Sequence, residues 1–380
     1  MNDEYGIYIH VPFCVRKCGY CDFYSVPDLN SIPAYVQAVV REMALVEGAS
    51  VRVDSLYFGG GTPSLLEPVQ VSQLVDAVCR RFDVADDTEI TLEVNPGTVS
   101  LEKLSGYRRA GVNRLNIGVQ SFRDASLGFL SRIHTADQAV QCVEMARSAG
   151  FDNIGLDLIY GLPGQTAHQW ESDLKAAVDF HPEHLSCYML TYEPGTRLTL
   201  DLKENRFQAL PEGAVGALYE VTVGYLADNG MRQYEVSNFS TATVTRSRHN
   251  QKYWVHAPYI GLGPSAHSFM NNRRRWNVRS VDGYLQQIQL GRSPTEGSEC
   301  LDRQQLMMEA IYLGLRCVDG IGISGFENRF HVDFKTLFGP LLTEEYASDG
   351  YLEVANGRCR LTRRGMLFSD SIAARFIQRI

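Results

Sequence analysis

Cys14-Val-Arg-Lys-Cys18-Gly-Tyr-Cys21 places three thiols within eight residues, directly after a short apolar run. Three thiolates on one loop can bind three irons of a four-iron cubane and leave the fourth iron free for another ligand. A structural zinc ion instead needs four ligands, which usually come as two close pairs. No second pair with that spacing is present, and His10 is the nearest candidate for a fourth ligand. The spacing therefore favours an iron–sulfur cluster, with a zinc site as the alternative.

Short apolar runs alternate with amphipathic stretches from residue 5 to residue 270, which predicts strands separated by helices. The predicted strands are Tyr5–Val11, Ser55–Phe58, Glu89–Val94, Arg114–Val119, Asn153–Ile159, His184–Leu190 and Tyr259–Leu262. The predicted helices are Ile32–Glu47, Val69–Arg80, Leu101–Ala110, Ala136–Ala149, Ala167–Phe180 and Glu212–Asn229. This order indicates a parallel sheet, arranged either as a doubly wound sheet or as an open or closed α/β barrel.

The positions of the polar residues favour the barrel. Residues suited to binding lie at or just after the ends of predicted strands, at His10, Gly59–Thr62, Glu93–Pro96, Gln120–Ser121 and Asp157–Gly161. An α/β barrel carries its chemistry at the carboxyl ends of all its strands, whereas a doubly wound sheet concentrates it at one switch point. We therefore predict an α/β fold with a partial (β/α)6-type barrel over residues 1–280.

Residues 281–380 are predicted to form a second, helical domain. Its predicted helices are Leu301–Arg316, Ser324–Phe330, Phe334–Ala347 and Arg363–Phe376, and its predicted strands are Tyr351–Val354 and Arg358–Leu361. The Asn-Gly pair between the two strands is a hairpin signal, so the domain resembles a winged helix. Residues 300–380 carry 10 basic and 10 acidic side chains, which does not favour DNA binding. We expect a packing or lid domain and no nucleic-acid partner.

The bulk properties are those of an ordinary globular protein, with 44% apolar and 21% charged residues. The formal net charge of -8 argues against non-specific binding to nucleic acid or to an anionic membrane. Six of the nine cysteines are scattered outside the motif, which suits a reduced cytoplasm and not a disulfide framework. The chain shows no signal-peptide pattern and no run of about 20 apolar residues. We expect a cytoplasmic protein that reaches a membrane only through a protein partner.

The cysteine spacing, with an aromatic residue immediately before Cys21, resembles the signature of the radical S-adenosylmethionine (SAM) superfamily. The resemblance implies a [4Fe–4S] cluster on Cys14, Cys18 and Cys21, whose open iron chelates the amino and carboxylate groups of SAM. It also implies that one-electron reduction cleaves SAM to methionine and a 5′-deoxyadenosyl radical. The run Gly59-Gly-Gly-Thr-Pro63 resembles the superfamily's second signature, which holds the methionine end of SAM. Taken alone, the run is equally compatible with a tight turn.

Further positions resemble the coproporphyrinogen III dehydrogenase group within that superfamily. The resemblance implies SAM binding by Tyr8, Gly60, Gly61, Thr62, Glu93, Gln120, Arg132 and Asp157. It also implies a second SAM beside the first, contacted by Gly61, Thr62, Gln120, Arg132 and Asp157. A structural role is the alternative, because a carboxylate that ends an apolar strand needs a partner and Arg132 could be that partner.

Two departures from the dehydrogenases match a sister family, the HemW haem chaperones. Only seven residues precede Tyr8, where the dehydrogenases carry an additional segment, and Phe23 takes the place of a further cysteine. The stretch His249-Asn-Gln-Lys-Tyr-Trp254 also resembles the His-Asn-x-x-Tyr-Trp motif of that family. The resemblance implies that His249 binds haem, as a neutral imidazole beside aromatic rings can.

Other interpretations of this region stay open. His249 could be a core histidine that hydrogen-bonds beside packed aromatic rings, and His256 and His267 are rival haem ligands. The run Arg273-Arg274-Arg275 could contact haem propionates or form a solvated loop.

The resemblance to HemW implies a haem chaperone that passes haem to apo-haemoproteins such as respiratory enzymes. The cluster and SAM would then support dimerisation or transfer, with an electron donor and a homodimer among the implied partners. The alternative is an enzyme of the oxygen-independent coproporphyrinogen III dehydrogenase type, which oxidatively decarboxylates two propionates to vinyls. A radical SAM methyltransferase, with the second SAM as methyl donor, is a third interpretation.

Overall fold

The computed structural model describes residues 4–46 and 51–380. Its strands are β1 (Tyr5–Val11), β2 (Arg52–Gly60), β3 (Asp83–Val94), β4 (Arg114–Gln120), β5 (Ile154–Tyr160), β6 (His184–Met189), β7 (Arg232–Gln233), β8 (Asn238–Ser240), β9 (Tyr259–Leu262), β10 (His267–Met270), β11 (Arg273–Asn277), β12 (Thr295–Cys300), β13 (Ile321–Gly322), β14 (Leu352–Ala355) and β15 (Arg358–Leu361). Its α-helices are α1 (Ile32–Leu45), α2 (Pro68–Arg81), α3 (Leu101–Arg109), α4 (Asp124–Phe129), α5 (Ala136–Ser148), α6 (Ala167–Asp179), α7 (Arg197–Lys203), α8 (Glu212–Asp228), α9 (Arg248–Trp254), α10 (Val281–Gln289), α11 (Arg303–Arg316), α12 (Ile323–Phe330), α13 (Phe334–Pro340), α14 (Arg363–Met366) and α15 (Ser369–Ile377).

The first six strands form the centre of a large sheet. They are all parallel and lie side by side in chain order, from β1 to β6. A doubly wound sheet would instead change direction at a switch point. The sheet continues past β1 through β9 and past β6 through β8, so it does not close on itself in the described ranges. This arrangement confirms the predicted partial (β/α)6 barrel.

The two faces of the central strands differ in chemistry. Side chains alternate between the faces of a strand, so one face of each strand points into the barrel. The inner face is polar: Tyr57 of β2 donates a hydrogen bond to Glu93 of β3, and Asn116 of β4 donates one to Asp157 of β5. The alternate residues are apolar and pack in the core with the surrounding helices. The polar inner face therefore leads to the carboxyl ends of the strands, where the candidate site lies.

Several elements differ from the sequence prediction. The helix predicted over Ile32–Glu47 ends at Leu45, and Glu47 lies outside the described residues. The helix predicted over Phe334–Ala347 ends at Pro340, whose ring prevents regular continuation, and a π-helical turn follows at Leu341–Glu345. The helix predicted over Arg363–Phe376 is two helices, α14 and α15, separated at Leu367 and Phe368.

The sheet also extends through strands that the sequence does not predict. β10, β11 and β12 continue the large sheet as antiparallel strands beyond β9. The Arg273-Arg274-Arg275 run is part of β11 and not a solvated loop, because β10 and β12 pair with it on both sides. The sheet therefore continues to Cys300, past the predicted boundary at 280/281, which stays a prediction. A smaller sheet of β13, β15 and β14 lies among the last helices.

No helix in residues 4–46 and 51–380 is both long and apolar enough to cross a membrane.

Candidate functional site

The three motif cysteines lie on the loop that follows β1. Hydrogen bonds hold this loop, from the Cys14 backbone N–H to the Val26 carbonyl (3.0 Å) and from the Val26 N–H to the Pro12 carbonyl (2.7 Å). Cys14, Cys18 and Cys21 are all free thiols and all half-buried. The loop therefore presents three thiols that are accessible and not engaged in disulfides.

Two polar side chains from other elements contact these thiols. The Thr62 hydroxyl lies 3.3 Å from Cys14 Sγ, and Arg132 Nη1 donates toward Cys18 Sγ over 3.6 Å. A hydroxyl and a guanidinium are donors suited to thiolate sulfur, so the surroundings fit ligands that must lose their protons. Three such thiols match the ligand set of a [4Fe–4S] cluster with one open iron.

The arrangement does not suit the zinc alternative. Within the described ranges, no three His, Cys, Asp or Glu side chains converge on one position for a metal ion. A single zinc ion needs such convergence, whereas each thiolate of a cubane binds a different iron. His10 is buried, and its two ring nitrogens lie 3.1 Å from the Tyr8 hydroxyl and 3.1 Å from the Tyr24 carbonyl. His10 therefore has other partners and orients Tyr8.

The glycine run brings the end of β2 against the cluster loop. Gly60 has a φ of +108°, and a Cβ there would lie 2.6 Å from the His10 ring. A Cβ on Gly61 would lie 2.6 Å from the Phe13 carbonyl, and the Gly61 N–H already donates to the Val11 carbonyl at 2.8 Å. The run is therefore more than a generic tight turn, because only glycine permits this close packing.

Glu93 is the carboxylate that faces the glycine run from β3. It accepts a hydrogen bond of 2.9 Å from the Tyr57 hydroxyl, and a Cβ on Gly59 would come within 3.2 Å of it. Burial raises the pKa of Glu93 to about 7, against which the Tyr57 hydrogen bond acts. Tyr8 stacks on Tyr57 with 6.2 Å between ring centroids, so the predicted SAM residues Tyr8, Gly60 and Glu93 lie together.

Asp157 lies across the barrel interior on β5. One carboxylate oxygen accepts a hydrogen bond from Asn116 at 2.6 Å. The Ser186 hydroxyl is also close to the carboxylate, but the second oxygen is buried and meets no donor in hydrogen-bond geometry in the described chain. Burial raises the pKa of Asp157. An unpaired buried oxygen is costly, so this atom is suited to receive a donor from a ligand.

Gln120 and Arg132 complete the predicted set. Gln120 is buried at the end of β4 with a φ of +69°, a backbone strain that proteins tend to keep at binding sites. Arg132 donates to the Gly118 carbonyl (2.7 Å) and to Asn95 Oδ1 (2.9 Å). Its guanidinium also neighbours the Tyr20 hydroxyl, but its buried Nε meets no acceptor in hydrogen-bond geometry among the described residues. Because Arg132 bonds to these groups and to Cys18, the structure does not pair it directly with Glu93 or Asp157.

Sequence reasoning missed three inner-face residues near this set, Tyr57, Asn116 and Arg114, and included Asn95 only within the strand-end group Glu93–Pro96. Asn95 is bonded to Arg132 and lies within 3.3 Å of His134, and Asn116 is bonded to Asp157. The alternation of a strand could have identified them. Tyr57, Asn116 and Arg114 alternate with apolar residues, so they lie on the face opposite the core in strands whose ends carry predicted ligands.

His249 lies toward the beginning of the strands, and its ring stacks on Tyr8, one of the predicted SAM residues, with 6.2 Å between centroids. A Cβ on Gly6, near the start of β1, would be 2.9 Å from its Nδ1. The Ser55 hydroxyl lies 3.1 Å from Nδ1 and the Tyr253 hydroxyl lies 2.9 Å from Nε2. The ring is 1% exposed, stacks on Tyr57, and has its pKa lowered by burial to about 3. Both nitrogens of this neutral imidazole are engaged in the structure.

The two rival histidines have different surroundings. His256 lines a cavity of about 300 Å³ together with Tyr253, Phe269 and other residues, and its Nε2 lies 2.9 Å from Glu309. His267 is exposed at the start of β10 and stacks on Trp276 with 6.1 Å between centroids. Arg274 donates hydrogen bonds to the carboxylates of Glu299 and Glu309, so partners within the chain already engage its guanidinium.

Comparisons with known proteins agree with the motif and the fold. The family model described as the radical SAM superfamily matches residues 8–177, and the model of the HemN C-terminal domain matches residues 301–368. The solved structure of the coproporphyrinogen III oxidase HemN from Escherichia coli covers 99% of this chain with a TM-score of 0.84. That match covers 91% of the HemN chain at 23% sequence identity, so it shows the α/β radical SAM fold with its C-terminal helical domain.

Sequence relatives extend over the whole chain. A Bacillus subtilis protein named heme chaperone HemW is 32% identical over 97% of this chain and 98% of its own length. An Escherichia coli protein of the same name is 34% identical over 98% of both chains. Radical SAM membership implies a [4Fe–4S] cluster and SAM. This chain belongs to the HemW family of the radical SAM superfamily.

Proposed function

We propose that this protein is a haem chaperone, which binds haem and delivers it to apo-haemoproteins such as respiratory enzymes. The observation that carries the proposal is similarity over the full chain to proteins named heme chaperones. The His-Asn-x-x-Tyr-Trp stretch on α9 supports it, because it supplies an imidazole among aromatic rings. The HemN match supports the fold alone and gives no preference to the dehydrogenase activity.

Cys14, Cys18 and Cys21 are proposed to hold the cluster. When bound, the cluster supplies an electron and an open iron for SAM. We propose that SAM is held by Tyr8, Gly60, Gly61, Thr62, Glu93, Gln120, Arg132 and Asp157. Five of them lie at the carboxyl ends of β2–β4, Tyr8 and Asp157 lie in the middle of β1 and β5, and Arg132 contacts Cys18. The unpaired atoms of Asp157 and Arg132 fit a polar ligand.

His249 is proposed as the haem ligand, in a conformation in which its hydrogen bond to Tyr253 is broken. Its Nε2 can bind iron only after the Tyr253 hydroxyl leaves it. Tyr253 is also a wall of the 300 Å³ cavity, whose aromatic lining suits a flat apolar macrocycle. Movement of one tyrosine would therefore connect His249 with a surface suited to part of a porphyrin.

The experiment is an anaerobic haem titration of the cluster-loaded protein, followed by the Soret band. We expect saturable, near-stoichiometric binding by the wild type and a clear weakening in His249→Ala. His256→Ala and His267→Ala are the matched variants, and loss of binding in one of them instead would move the ligand to that histidine.

Delivery is tested in the same samples by mixing haem-loaded protein with an apo-haemoprotein. The rate of haem uptake is compared with the rate at which the apo-haemoprotein takes up free haem. If the wild type binds no haem saturably, the chaperone proposal fails and turnover of coproporphyrinogen III becomes the next test. An electron donor, a homodimer and a membrane-bound recipient belong to the same proposal; they are tested by cluster reduction, by mass in solution and by co-purification.

A further inference from the structure

Arg114 is a buried arginine that no contact in the described chain explains. It is 1% exposed, and none of its three guanidinium nitrogens has a hydrogen-bond partner in the described ranges. It points to the inner face of β4, where it pairs in register with Thr91 of β3. A buried charge without hydrogen bonds is costly, so a compensating interaction is expected.

Electrostatic partners lie at the SAM end of the barrel. The positive charge of Arg114 lowers the pKa of both Glu93 and Asp157, whereas burial raises the pKa of both carboxyls. Arg114 is thus an interior cation shared by the two carboxylates. His184 adds no charge of its own, because burial, together with Arg114, lowers its pKa well below the usual value.

Gly155 of β5 lets Arg114 and two polar neighbours pack closely against the strand. A Cβ on Gly155 would lie 2.6 Å from Asn116 Oδ1, 3.1 Å from Arg114 Nη2 and 3.2 Å from His184 Nδ1. Only glycine lets these three polar side chains approach β5 so closely. Asn116, in turn, donates a 2.6 Å hydrogen bond to Asp157, so Arg114 lies one residue away from this carboxylate.

We infer that Arg114 is a positioning residue of the SAM site: packed against Gly155 on the inner face, its guanidinium supplies positive charge that favours the ionised carboxylates of Glu93 and Asp157. SAM carries a positively charged sulfonium, so an ionised carboxylate attracts it more strongly than a protonated one does. The inference rests on the proposed assignment of Glu93 and Asp157 to SAM. Arg114 itself does not touch SAM in this account.

The groups that face Glu93 define the expected pH dependence. They are Tyr57 of β2, Tyr8 of β1, Tyr253 of α9, Asp157 of β5 and Arg114 of β4. The three tyrosines stay neutral because burial raises the pKa of each well above the working range. Arg114 is therefore the cation among these groups, and its removal should raise the pKa of Glu93.

The test is the SAM affinity of cluster-loaded protein, measured by calorimetry from pH 6 to pH 9 for wild type, Arg114→Met and Arg114→Lys. If removal of Arg114 raises the pKa of Glu93 by about one unit, the ionised fraction of Glu93 at pH 7 falls from about one-half to about one-tenth. Arg114→Met should thus bind SAM about fivefold more weakly at pH 7 and within about twofold of wild type at pH 9. Arg114→Lys keeps the charge and should follow the wild-type profile.

Thermal unfolding separates this role from a structural one. Because Arg114 makes no hydrogen bond in the described chain, Arg114→Met should leave the melting temperature unchanged or raise it. A pH profile parallel to wild type in Arg114→Met would overturn the inference. If Arg114→Met does not fold, Arg114→Gln takes its place with the same expected shift. Absence of SAM binding by the wild type would instead overturn the SAM assignment itself.

Discussion

The residues proposed to bind SAM and the haem-ligand candidate His249 differ in how completely their own polar atoms are paired. Among the SAM residues, Asp157 and Arg132 each keep a buried atom without a hydrogen-bond partner among the described residues. By contrast, both ring nitrogens of His249 have hydroxyl partners, and its backbone N–H donates to Glu89. Unpaired buried groups are stabilised by an arriving ligand, whereas paired ones must first lose a bond. We call the residues proposed to bind SAM the prepared end, because they can receive a ligand as they stand. We call His249 and its hydroxyl partners the closed end, because a hydrogen bond must break before a ligand can bind.

The largest effect tests the prepared end. Cys18→Ser should abolish stable cluster assembly, because a [4Fe–4S] cluster with an open iron depends on three thiolates. Iron analysis and the visible absorption of the reconstituted protein measure the loss. Cys79→Ser and Cys300→Ser are the controls, since both cysteines are exposed and lie outside the motif. A full iron content in Cys18→Ser would remove Cys18 from the ligand set.

The next effect tests the close packing of the glycine run at the same end. In Gly61→Ala the new methyl would lie 2.6 Å from the Phe13 carbonyl, so a backbone shift costing about 3 kcal/mol is expected. The SAM-dependent change in the EPR signal of the reduced cluster should disappear with it. Gly213→Ala is the control, because a Cβ there meets nothing within 4 Å. Equal stability and SAM response in both variants would contradict the packing argument.

Much of the prepared end could be predicted from the sequence because its signals are local. The cysteine spacing and the glycine run are contiguous, and Glu93 and Gln120 lie at the ends of apolar strands, whereas Asp157 lies in the middle of β5. The parallel strands β1–β6 follow the same logic, since their apolar and polar residues alternate with the period of a strand.

The closed end could not be predicted in this way, because its contacts are long-range. His249 and Ser55 are 194 residues apart in the chain, and nothing in either segment indicates that they meet. Strand β11 was missed for a related reason: its run of arginines is polar and becomes a strand only through pairing with β10 and β12. Pairing and burial by distant segments decide such cases, and local patterns do not contain that information.

A smaller effect tests whether the His249 imidazole is shielded from water in solution. Burial lowers the pKa of His249 to about 3, so between pH 6.5 and pH 3 the unfolded chain binds a proton that the folded chain does not. This histidine therefore stabilises the fold fully above pH 6.5, and its contribution falls as the pH decreases. From pH 7 to pH 5 the loss is about 2 kcal/mol.

The variant His249→Gln isolates this contribution from other titrating groups. Glu42 and Glu93 act in the opposite direction, because burial raises the pKa of each to about 7 and the folded chain then takes up their protons first. The difference in unfolding free energy between wild type and variant cancels them. That difference should shrink by about 2 kcal/mol from pH 7 to pH 5. A constant difference across this range would mean that His249 is already accessible to solvent.

The smallest effect tests the bond that closes His249. Tyr253→Phe removes the hydroxyl 2.9 Å from Nε2 and keeps the ring, so the unfolding free energy should fall by about 1 kcal/mol. The same change removes a bond that haem must break, and about 1 kcal/mol corresponds to about fivefold tighter haem binding. Haem titration measures the gain, with Tyr312→Phe as control in the same cavity wall. Weaker haem binding in Tyr253→Phe would show that the hydroxyl orients His249 for haem instead of blocking its Nε2. The contrast between the two ends would then be wrong.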